Sequence, residues 1–207
     1  MEKHDVIKAL EEIKKGKERK FEQSIDLIIN LKKFDIKKNI VNEIVSLPHK
    51  TKEKKICGFL NEKSMIIDTI TKNEFPLYDK KKIKKLIKNY DAFIASAPLM
   101  QAIATIFGRV LGPSGKMPSP KLGILMREDE KTIKDTIEKI NSSIIVKTKE
   151  PTIKVFIGKE KMKNEEVAEN ILAVYNAVFN ALPYKKENIR SVMLKLTMGK
   201  PVKINLK

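Results

Sequence analysis

Residue types that support exported, metal-binding or membrane proteins are scarce in this chain of 207 residues. Cysteine occurs once, as Cys57, which excludes a disulfide or a cysteine-based zinc site within the chain. Tryptophan is absent, the N-terminal residues are charged, and no apolar run is long enough to cross a bilayer. We therefore expect a protein of the reducing cytoplasm, with no membrane partner.

Side-chain combinations that perform catalysis are equally scarce. The two histidines are His4, in a predicted helix, and His49, at a predicted strand end, and both are interpreted as surface or loop residues. No His-Cys pair, H-E-x-x-H, G-x-S-x-G or acidic metal cluster occurs. The sequence predicts no enzyme activity, no metal and no cofactor.

Positive charge is abundant. Lysine and arginine number 43 against 26 acidic residues, a formal charge of +17. Such an excess repels itself, and a polyanionic partner relieves the repulsion. Nucleic acid is the favoured partner; an anionic membrane surface is the alternative, but aromatic residues make up only 6% of the chain. General lysine bias is another source of the excess, since many lysines, such as Lys80 and Lys84, occupy exposed helix positions.

Apolar periodicity predicts the helices and strands. Helices are predicted over 3–15, 79–88, 100–107, 128–140 and 163–182. Strands are predicted over 25–31, 40–47, 56–60, 65–70, 92–96, 144–146, 153–157, 190–196 and 202–204. A turn is expected at 37–39, and Glu150-Pro151 is interpreted as the turn of a hairpin between the strands at 144–146 and 153–157.

The order of these elements predicts two domains. Strands alternate with helices in the middle of the chain, which is typical of a small α/β domain. The first segment cannot close a sheet alone, and the last segment supplies further strands. We expect residues 1–53 and 142–207 to form an α+β root domain with an antiparallel sheet. The α/β domain, residues 54–141, is inserted into it.

The stretch Phe107–Lys121 interleaves glycines, prolines and cations and is interpreted as a loop. Glycine lets a backbone approach a phosphate closely, and proline orders the loop in advance. The phosphate-binding motif G-x-x-x-x-G-K-[S/T] fails, because Val110 stands five residues before Gly115 and Met117 follows Lys116. An exposed basic loop that meets nucleic acid backbone is favoured; a nucleotide-dependent enzyme is the alternative.

A second polar set lies near the C-terminus, where the predicted strand through Ser191 runs into Thr197-Met198-Gly199. Hydroxyls, a free backbone amide beside the glycine and an apolar methionine suit recognition of folded RNA through its 2′-hydroxyls. A plain strand end with a glycine turn is the simpler alternative. The first strand, Lys20–Asp26, offers a similar set, in which Phe21 either caps the core or stacks on a base.

Together these residues resemble the ribosomal protein L-one family, which forms the mobile stalk beside the tRNA exit site. Gly108–Lys121 reads G-R-V-L-G-P-S-G-K-M-P-S-P-K and is similar to the family signature G-R-x-L-G-P-R-G-x-M-P-x-P-K. Supporting similarities are Lys20–Asp26, Val45–His49 and Ser191 with Thr197–Gly199. The chain differs from the family at Ser114, usually arginine, and at Lys200, which precedes Pro201. The lysine content and C-terminus resemble archaeal members.

The resemblance implies a root domain made by both termini and an inserted three-layer, Rossmann-like α/β domain. It implies a monomeric, non-enzymatic constituent of the large ribosomal subunit that binds ribosomal RNA at the stalk, assists tRNA release, and represses translation of its own mRNA. The implied root-domain RNA contacts are Lys20, Phe21, Ser24, Asp26, Ser191, Thr197, Met198 and Gly199. The implied loop of the inserted domain, facing stalk RNA or departing tRNA, presents Gly108, Arg109, Gly112, Gly115, Lys116, Met117 and Lys121. Action as a free repressor without stable ribosome residence is a further alternative.

Overall fold

The chain divides into two compact units, and its first and last segments share one of them. The computed structural model describes residues 2–16, 19–35, 39, 41–148 and 150–205. The terminal unit comprises Met1–Lys52 and Ser142–Lys207, and the central unit comprises Glu53–Asn141.

Six α-helices and ten strands are formed by the described residues. The helices are α1 (Lys3–Lys14), α2 (Lys80–Asn89), α3 (Met100–Ile106), α4 (Gly108–Ser114), α5 (Glu130–Ser142) and α6 (Asn164–Ala181). The strands are β1 (Ser24–Leu31), β2 (Asn42–Ser46), β3 (Ile56–Leu60), β4 (Asp68–Thr71), β5 (Ala92–Ser96), β6 (Ile124–Leu125), β7 (Ser143–Lys147), β8 (Thr152–Lys159), β9 (Ile189–Leu196) and β10 (Val202–Ile204).

The main sheet of the terminal unit is four-stranded and antiparallel, in the order β10-β9-β1-β8. Buried and half-buried residues alternate strictly along β1, which suits a strand with one face on the core. The buried residues are Ile25, Leu27, Ile29 and Leu31, and the residues between them are half-buried. One face of the sheet therefore forms the core. The opposite face, which we call the outer sheet face, presents the half-buried set from Ser24 to Asn30.

Helices α1 and α6 cover the inner face of this sheet. Val6, Leu10 and Ile13 of α1 recur at helical spacing and are buried with the inner residues of β1 and β9. Helix α6 contributes Val167, Ile171 and others to the same core.

The hairpin predicted around Glu150-Pro151 is wrong. Strand β7 pairs antiparallel with β2, as Asn42 opposite Lys147 through Ser46 opposite Ser143, in a separate two-stranded sheet. Strand β8 pairs with β1 instead. A turn signal is local and does not fix which strands pair, whereas buried Val45 of β2 and Val146 of β7 join the same core and bring these distant strands together. The predicted start of the second strand at Ile40 and the turn at 37–38 lie outside the described residues.

The central unit has a parallel sheet in the order β4-β3-β5-β6. All five residues of β3 are buried, as expected for a strand that is covered on both faces. Ile83, Ile103 and Leu111, from α2, α3 and α4, share one apolar cluster with Phe59. Side chains of α5 share a second cluster with Ile56, Leu60 and Ile94.

Several predicted elements are confirmed to the residue, namely the strands over 56–60, 92–96 and 202–204. The strand predicted over 65–70 is shorter, since β4 begins at Asp68 and Met65 is fully exposed. The loop predicted between Phe107 and Lys121 is wrong in its first half, where the backbone forms α4.

Candidate nucleic-acid interface

The start of β1 and the end of β9 are joined through backbone and hydroxyl groups. The Thr197 backbone N–H donates to the Ser24 carbonyl oxygen at 3.1 Å. The Ser24 N–H donates to the Thr197 hydroxyl at 3.0 Å, and that hydroxyl lies 3.4 Å from the Ser24 carbonyl oxygen. A hydroxyl has two acceptor lone pairs, so one remains to accept a hydrogen bond from an RNA 2′-hydroxyl.

Gln23 fixes the turn that follows. It is almost completely buried, and its side-chain oxygen accepts the Met198 N–H at 3.2 Å. The Gly199 N–H donates to the Leu196 carbonyl oxygen at 3.0 Å. The backbone amide of Met198, beside the glycine, and that of Gly199 itself are both hydrogen-bonded, so neither is the free amide that was expected beside the glycine. Gly199 serves close packing, since an added Cβ would lie 3.1 Å from Cβ of Leu196.

Two apolar side chains remain exposed at this strand end. Phe21 is 51% exposed and Met198 is 62% exposed. Neither belongs to the apolar core, which disfavours the interpretation of Phe21 as a core cap. Lys20 is exposed beside Phe21, and Glu22 is paired with Lys159 at 2.9 Å. We call Lys20, Phe21, Ser24, Thr197, Met198 and Gly199 the strand-end surface.

Asp26 continues this surface onto the outer sheet face. It stands opposite Lys195 of β9 in the strand register. Partial burial raises the pKa of the Asp26 carboxyl, and the positive charge of Lys195 opposes that rise. An acceptor group with incomplete solvation is thus placed two residues from Ser24.

Ser191 lies away from the strand-end surface. It pairs with Asn30, six residues along β1 from Ser24, which corresponds to about 20 Å of strand. The Asn30 side-chain amide donates to the Ser191 hydroxyl at 2.9 Å, and the Thr152 hydroxyl donates to the Asn30 side-chain oxygen at 3.2 Å. Ser191 shares the outer sheet face with Asp26 but not the turn.

Sequence reasoning missed three polar residues in this region, Gln23, Asn30 and Lys195. The period-two pattern that selected Ser24 and Asp26 also selects Asn30, so the sequence alone could have predicted that residue. Gln23 and Lys195 depend on the pairing of β1 with β9, which no local pattern reveals.

The glycines predicted to contact RNA in the central unit lie on a helix or at its C-terminal end. Ile103, Phe107 and Leu111 follow one another at four-residue spacing and are completely buried, which continues the helical pattern past Gly108. Helix α4 ends at Ser114 and is capped by Gly115, whose positive φ of 72° favours glycine. An added Cβ at Gly108 or Gly112 would meet nothing within 4 Å, so no internal contact requires glycine at either position.

The cations of this segment have different surroundings. Arg109 and Lys121 are exposed. The Lys116 ammonium instead donates to the carbonyl oxygens of Ile87 and Tyr90, both at 2.7 Å, at the C-terminal end of α2. Its assignment as a loop residue that presents its charge to RNA is therefore corrected to a helix cap. Met117 is half-buried and packs against the apolar cluster that contains Phe59.

Groups typical of catalysis are held in structural contacts. His49 Nε2 lies 2.7 Å from Glu169 Oε2, and hydrogen bonds from Lys3 and His49 lower the pKa of Glu169 to about 2. Burial raises the pKa of the Cys57 thiol to about 12, so it is not a nucleophile at neutral pH. Among the described residues, no cluster of three or more histidine, cysteine, aspartate or glutamate side chains could hold a metal ion. Within the same ranges, no helix has the length and apolar character to span a bilayer.

A basic chain with uncharged donors, acceptors and exposed apolar side chains at one strand end has the features of a nucleic-acid-binding protein. The family model of the ribosomal protein L1p/L10e family matches residues 12–200. The chain is 37% identical over 205 residues to large ribosomal subunit protein uL1 of Pyrobaculum neutrophilum, covering 93% of this chain and 89% of that protein. It is 36% identical to the protein of the same name of Nanoarchaeum equitans, covering 95% and 99%. The uL1 protein of Pyrococcus horikoshii is 35% identical, covering 98% and 96%.

The chain belongs to the ribosomal protein L1p/L10e family. Its relatives are named as proteins of the large ribosomal subunit. As a member of this ribosomal protein family, the chain is a component of cytoplasmic ribosomes. Ribosomal RNA binding is the general activity of this family, and the family is not one of enzymes.

Proposed function

We propose that the protein binds ribosomal RNA of the mobile stalk near the tRNA exit site through the strand-end surface and Asp26. The terminal unit is then the family's root domain, and the central unit is the inserted three-layer α/β domain. The boundaries between the two compact units, at residues 52/53 and 141/142, support this division.

The observation that carries the proposal is the junction between β1 and β9. Chain segments more than 170 residues apart meet there through Ser24, Thr197 and Gln23. The junction presents Phe21 and Met198 to solvent while hydrogen bonds order the backbone around them. A pre-ordered surface loses less entropy on binding than a flexible one.

Contacts other than lysine–phosphate pairs support selectivity. A phosphate contact from lysine acts on any sequence, whereas stacking on Phe21 and contacts from Thr197 and Asp26 depend on the folded shape of the RNA. The net charge of +17 then strengthens binding without choosing the target.

The α4 segment is the proposed second contact, facing stalk RNA or the departing tRNA. Gly108 and Gly112 are four residues apart and lie on one side of α4, where open space would admit a phosphate close to the backbone. Exposed Arg109 supplies a cation beside them. Ser114, which replaces the usual arginine, donates its hydroxyl to the Leu111 carbonyl oxygen at 2.7 Å.

Assistance in tRNA release and repression of the protein's own mRNA complete the proposal. Repression requires that the mRNA fold into a mimic of the ribosomal site, so ribosomal RNA binding and repression would both use the strand-end surface.

Sedimentation of a cell lysate tests whether the protein resides on the ribosome. We expect the monomeric protein to co-sediment with large subunits, whereas recovery only in the ribosome-free fraction would favour a free repressor.

Binding to a stalk RNA fragment tests the site. We expect Met198→Ala to weaken binding by roughly 1–3 kcal/mol at fixed salt, as for the removal of one specific contact. Because Met198 is mostly exposed, its truncation should leave folding unchanged. Calorimetry with ATP, GTP and NAD addresses the enzyme alternative, for which binding tighter than about 10 μM would be required, roughly −7 kcal/mol.

A further inference from the structure

Helix α2 of the central unit carries an unusual charge arrangement. Six of its ten residues are lysines, and all six are exposed, whereas its buried residues are Ile83 and Leu86. At about 100° per residue, five of the lysines occupy one arc of roughly 140° on the side away from the core. We call these five the lysine face: Lys80, Lys81, Lys84, Lys85 and Lys88.

General lysine bias does not explain this helix, because the other long helices are balanced or acidic. Helices α1 and α5 each combine three lysines with three acidic residues, and α6 has three glutamates and no lysine. Among the four described helices of ten or more residues, only α2 has lysines and no acidic residue. The uncompensated row of lysines is therefore particular to this helix.

The arrangement costs the folded protein stability. Lys80–Lys84, Lys81–Lys85 and Lys84–Lys88 are like-charge pairs at four-residue spacing, which destabilise a helix. Three lysines occupy the first turn, at the positive end of the helix dipole. Within the described ranges of the chain, no residue of the lysine face forms an ion pair.

We propose that the lysine face binds the phosphate backbone of double-stranded RNA without reading its sequence. The inference rests on the proposed function only in taking RNA as the polyanion. A helix of ten residues is about 15 Å long, so the face is a rigid row of cations, which suits the regular phosphate rows of a duplex.

Single-stranded RNA fits this face less well. Its recognition uses aromatic side chains free to stack on bases. The aromatic residues beside α2 are Tyr78 and Tyr90, and both make contacts within the protein. The Tyr78 ring contacts Phe107, the Tyr90 ring contacts Phe93, and the Tyr90 hydroxyl donates to Asp68 at 2.7 Å.

The test compares two charge-matched variants of the full chain. Lys81→Gln/Lys84→Gln removes two charges from the lysine face, and Lys131→Gln/Lys134→Gln removes two exposed charges at the same spacing from α5. Glutamine has nearly the helix propensity of lysine, and urea unfolding checks that both variants fold. The probe is a short, perfectly paired RNA duplex, titrated by fluorescence anisotropy over a series of salt concentrations.

We expect the α2 variant to bind the duplex about ten-fold more weakly or worse near 0.1 M salt. Its plot of log affinity against log salt should be shallower by about 2, because each of the two substitutions removes one phosphate interaction and about one unit of slope. The α5 variant should match the wild type. Equal weakening in both variants, or an unchanged slope in the α2 variant, would overturn the proposal.

Two further probes separate the remaining interpretations. A weakening confined to a single-stranded oligouridylate, or confined to polyglutamate as an acidic protein surrogate, would also overturn it. The stalk RNA proposal is tested separately, by the affinity of Met198→Ala for the stalk RNA fragment, whereas the lysine face is tested by the affinity of the α2 variant for the duplex. Failure of the stalk RNA proposal and failure of the lysine face are thereby distinguishable.

Discussion

Thr197 and Ser24 exchange hydrogen bonds at the end of the β1–β9 ladder, one through the Thr197 backbone N–H at 3.1 Å and one through its hydroxyl at 3.0 Å. The hydroxyl thus orders the first residue of β1 and still has acceptor capacity for RNA. Its substitution should affect both folding and binding.

Thr197→Val keeps the shape of the side chain and removes its hydroxyl, whereas Thr197→Ser keeps the hydroxyl and removes the methyl group. The two variants together show whether the hydroxyl or the shape matters. Valine removes the acceptor of the Ser24 N–H, so we expect about 1 kcal/mol loss of unfolding free energy and RNA binding weaker by roughly 1–3 kcal/mol. Serine keeps the hydroxyl and should behave nearly as the wild type. Urea unfolding and filter binding at fixed salt measure the two effects. Equal unfolding free energies and equal RNA affinities of the two variants would contradict the assigned role of the hydroxyl.

Phe21→Ala tests whether this ring stacks on a base. The ring is half exposed and lies outside the core, so truncation should change the urea midpoint little. Loss of base stacking should weaken binding to the stalk fragment by about 1–3 kcal/mol. Phe21→Leu keeps an apolar side chain but loses the aromatic face, and it should bind nearly as poorly. If leucine restores full affinity, Phe21 acts by apolar contact and not by stacking.

Asp26→Asn should change stability and binding in opposite directions. Burial raises the pKa of the Asp26 carboxyl in the folded state, so its contribution to stability is fully present below the unfolded pKa and is lost as pH rises through the folded pKa. The neutral amide avoids that loss. We expect the variant to be at least as stable as the wild type at pH 7, with the difference vanishing at low pH, while RNA binding weakens. Thermal unfolding between pH 3 and 7, roughly the range in which a carboxyl titrates, measures the first effect. A variant that is less stable only at pH 7 would contradict it.

Gly112→Ala should weaken the contact of the protein with RNA. The added Cβ meets nothing within 4 Å beyond the neighbouring residues, but Pro113 follows and disfavours helical backbone at a preceding residue that carries a Cβ, so we expect no gain in stability. The same methyl group would hold a phosphate away from the backbone of α4. Gly16→Ala is not a helix-interior substitution and serves as a control for unfolded-state effects. Unchanged binding to stalk RNA and to tRNA would remove α4 from the interface.

Arg109→Gln and Lys116→Gln form a matched pair within one motif. Arg109 is exposed and should matter for RNA binding alone. Lys116 caps α2 with two charge-assisted hydrogen bonds, so its substitution should cost roughly 1–3 kcal/mol of unfolding free energy. The expected pattern is a binding defect without instability for Arg109→Gln and the reverse for Lys116→Gln. The opposite pattern would return Lys116 to the RNA-contacting set.

Sequence patterns predicted β1, β3, β5, β10 and α6 well because each has a strong period of its own. They failed at α4, where three glycines and three prolines between Gly108 and Pro120 suggested a loop. The burial of Ile103, Phe107 and Leu111 at four-residue spacing outweighs those breakers. Pairing of β7 with β2 and capping of α2 by Lys116 join residues distant in sequence, so no local pattern contains them.

The candidate site was predictable to a similar extent. Alternation places Ser24 and Asp26 on one face, and the sequence suggests a turn at Gly199, but only the strand register separates Ser191 from Thr197. The role of Gln23 depends on tertiary contacts with the turn after β9.

Affinity of the full chain and of Met198→Ala for the stalk RNA fragment, at one fixed salt concentration, tests the central claim most directly. The strand-end surface predicts binding weaker by roughly 1–3 kcal/mol, a factor of about 5 to 150, with an unchanged urea midpoint. Equal affinity of the two proteins would contradict an RNA contact at the end of β9.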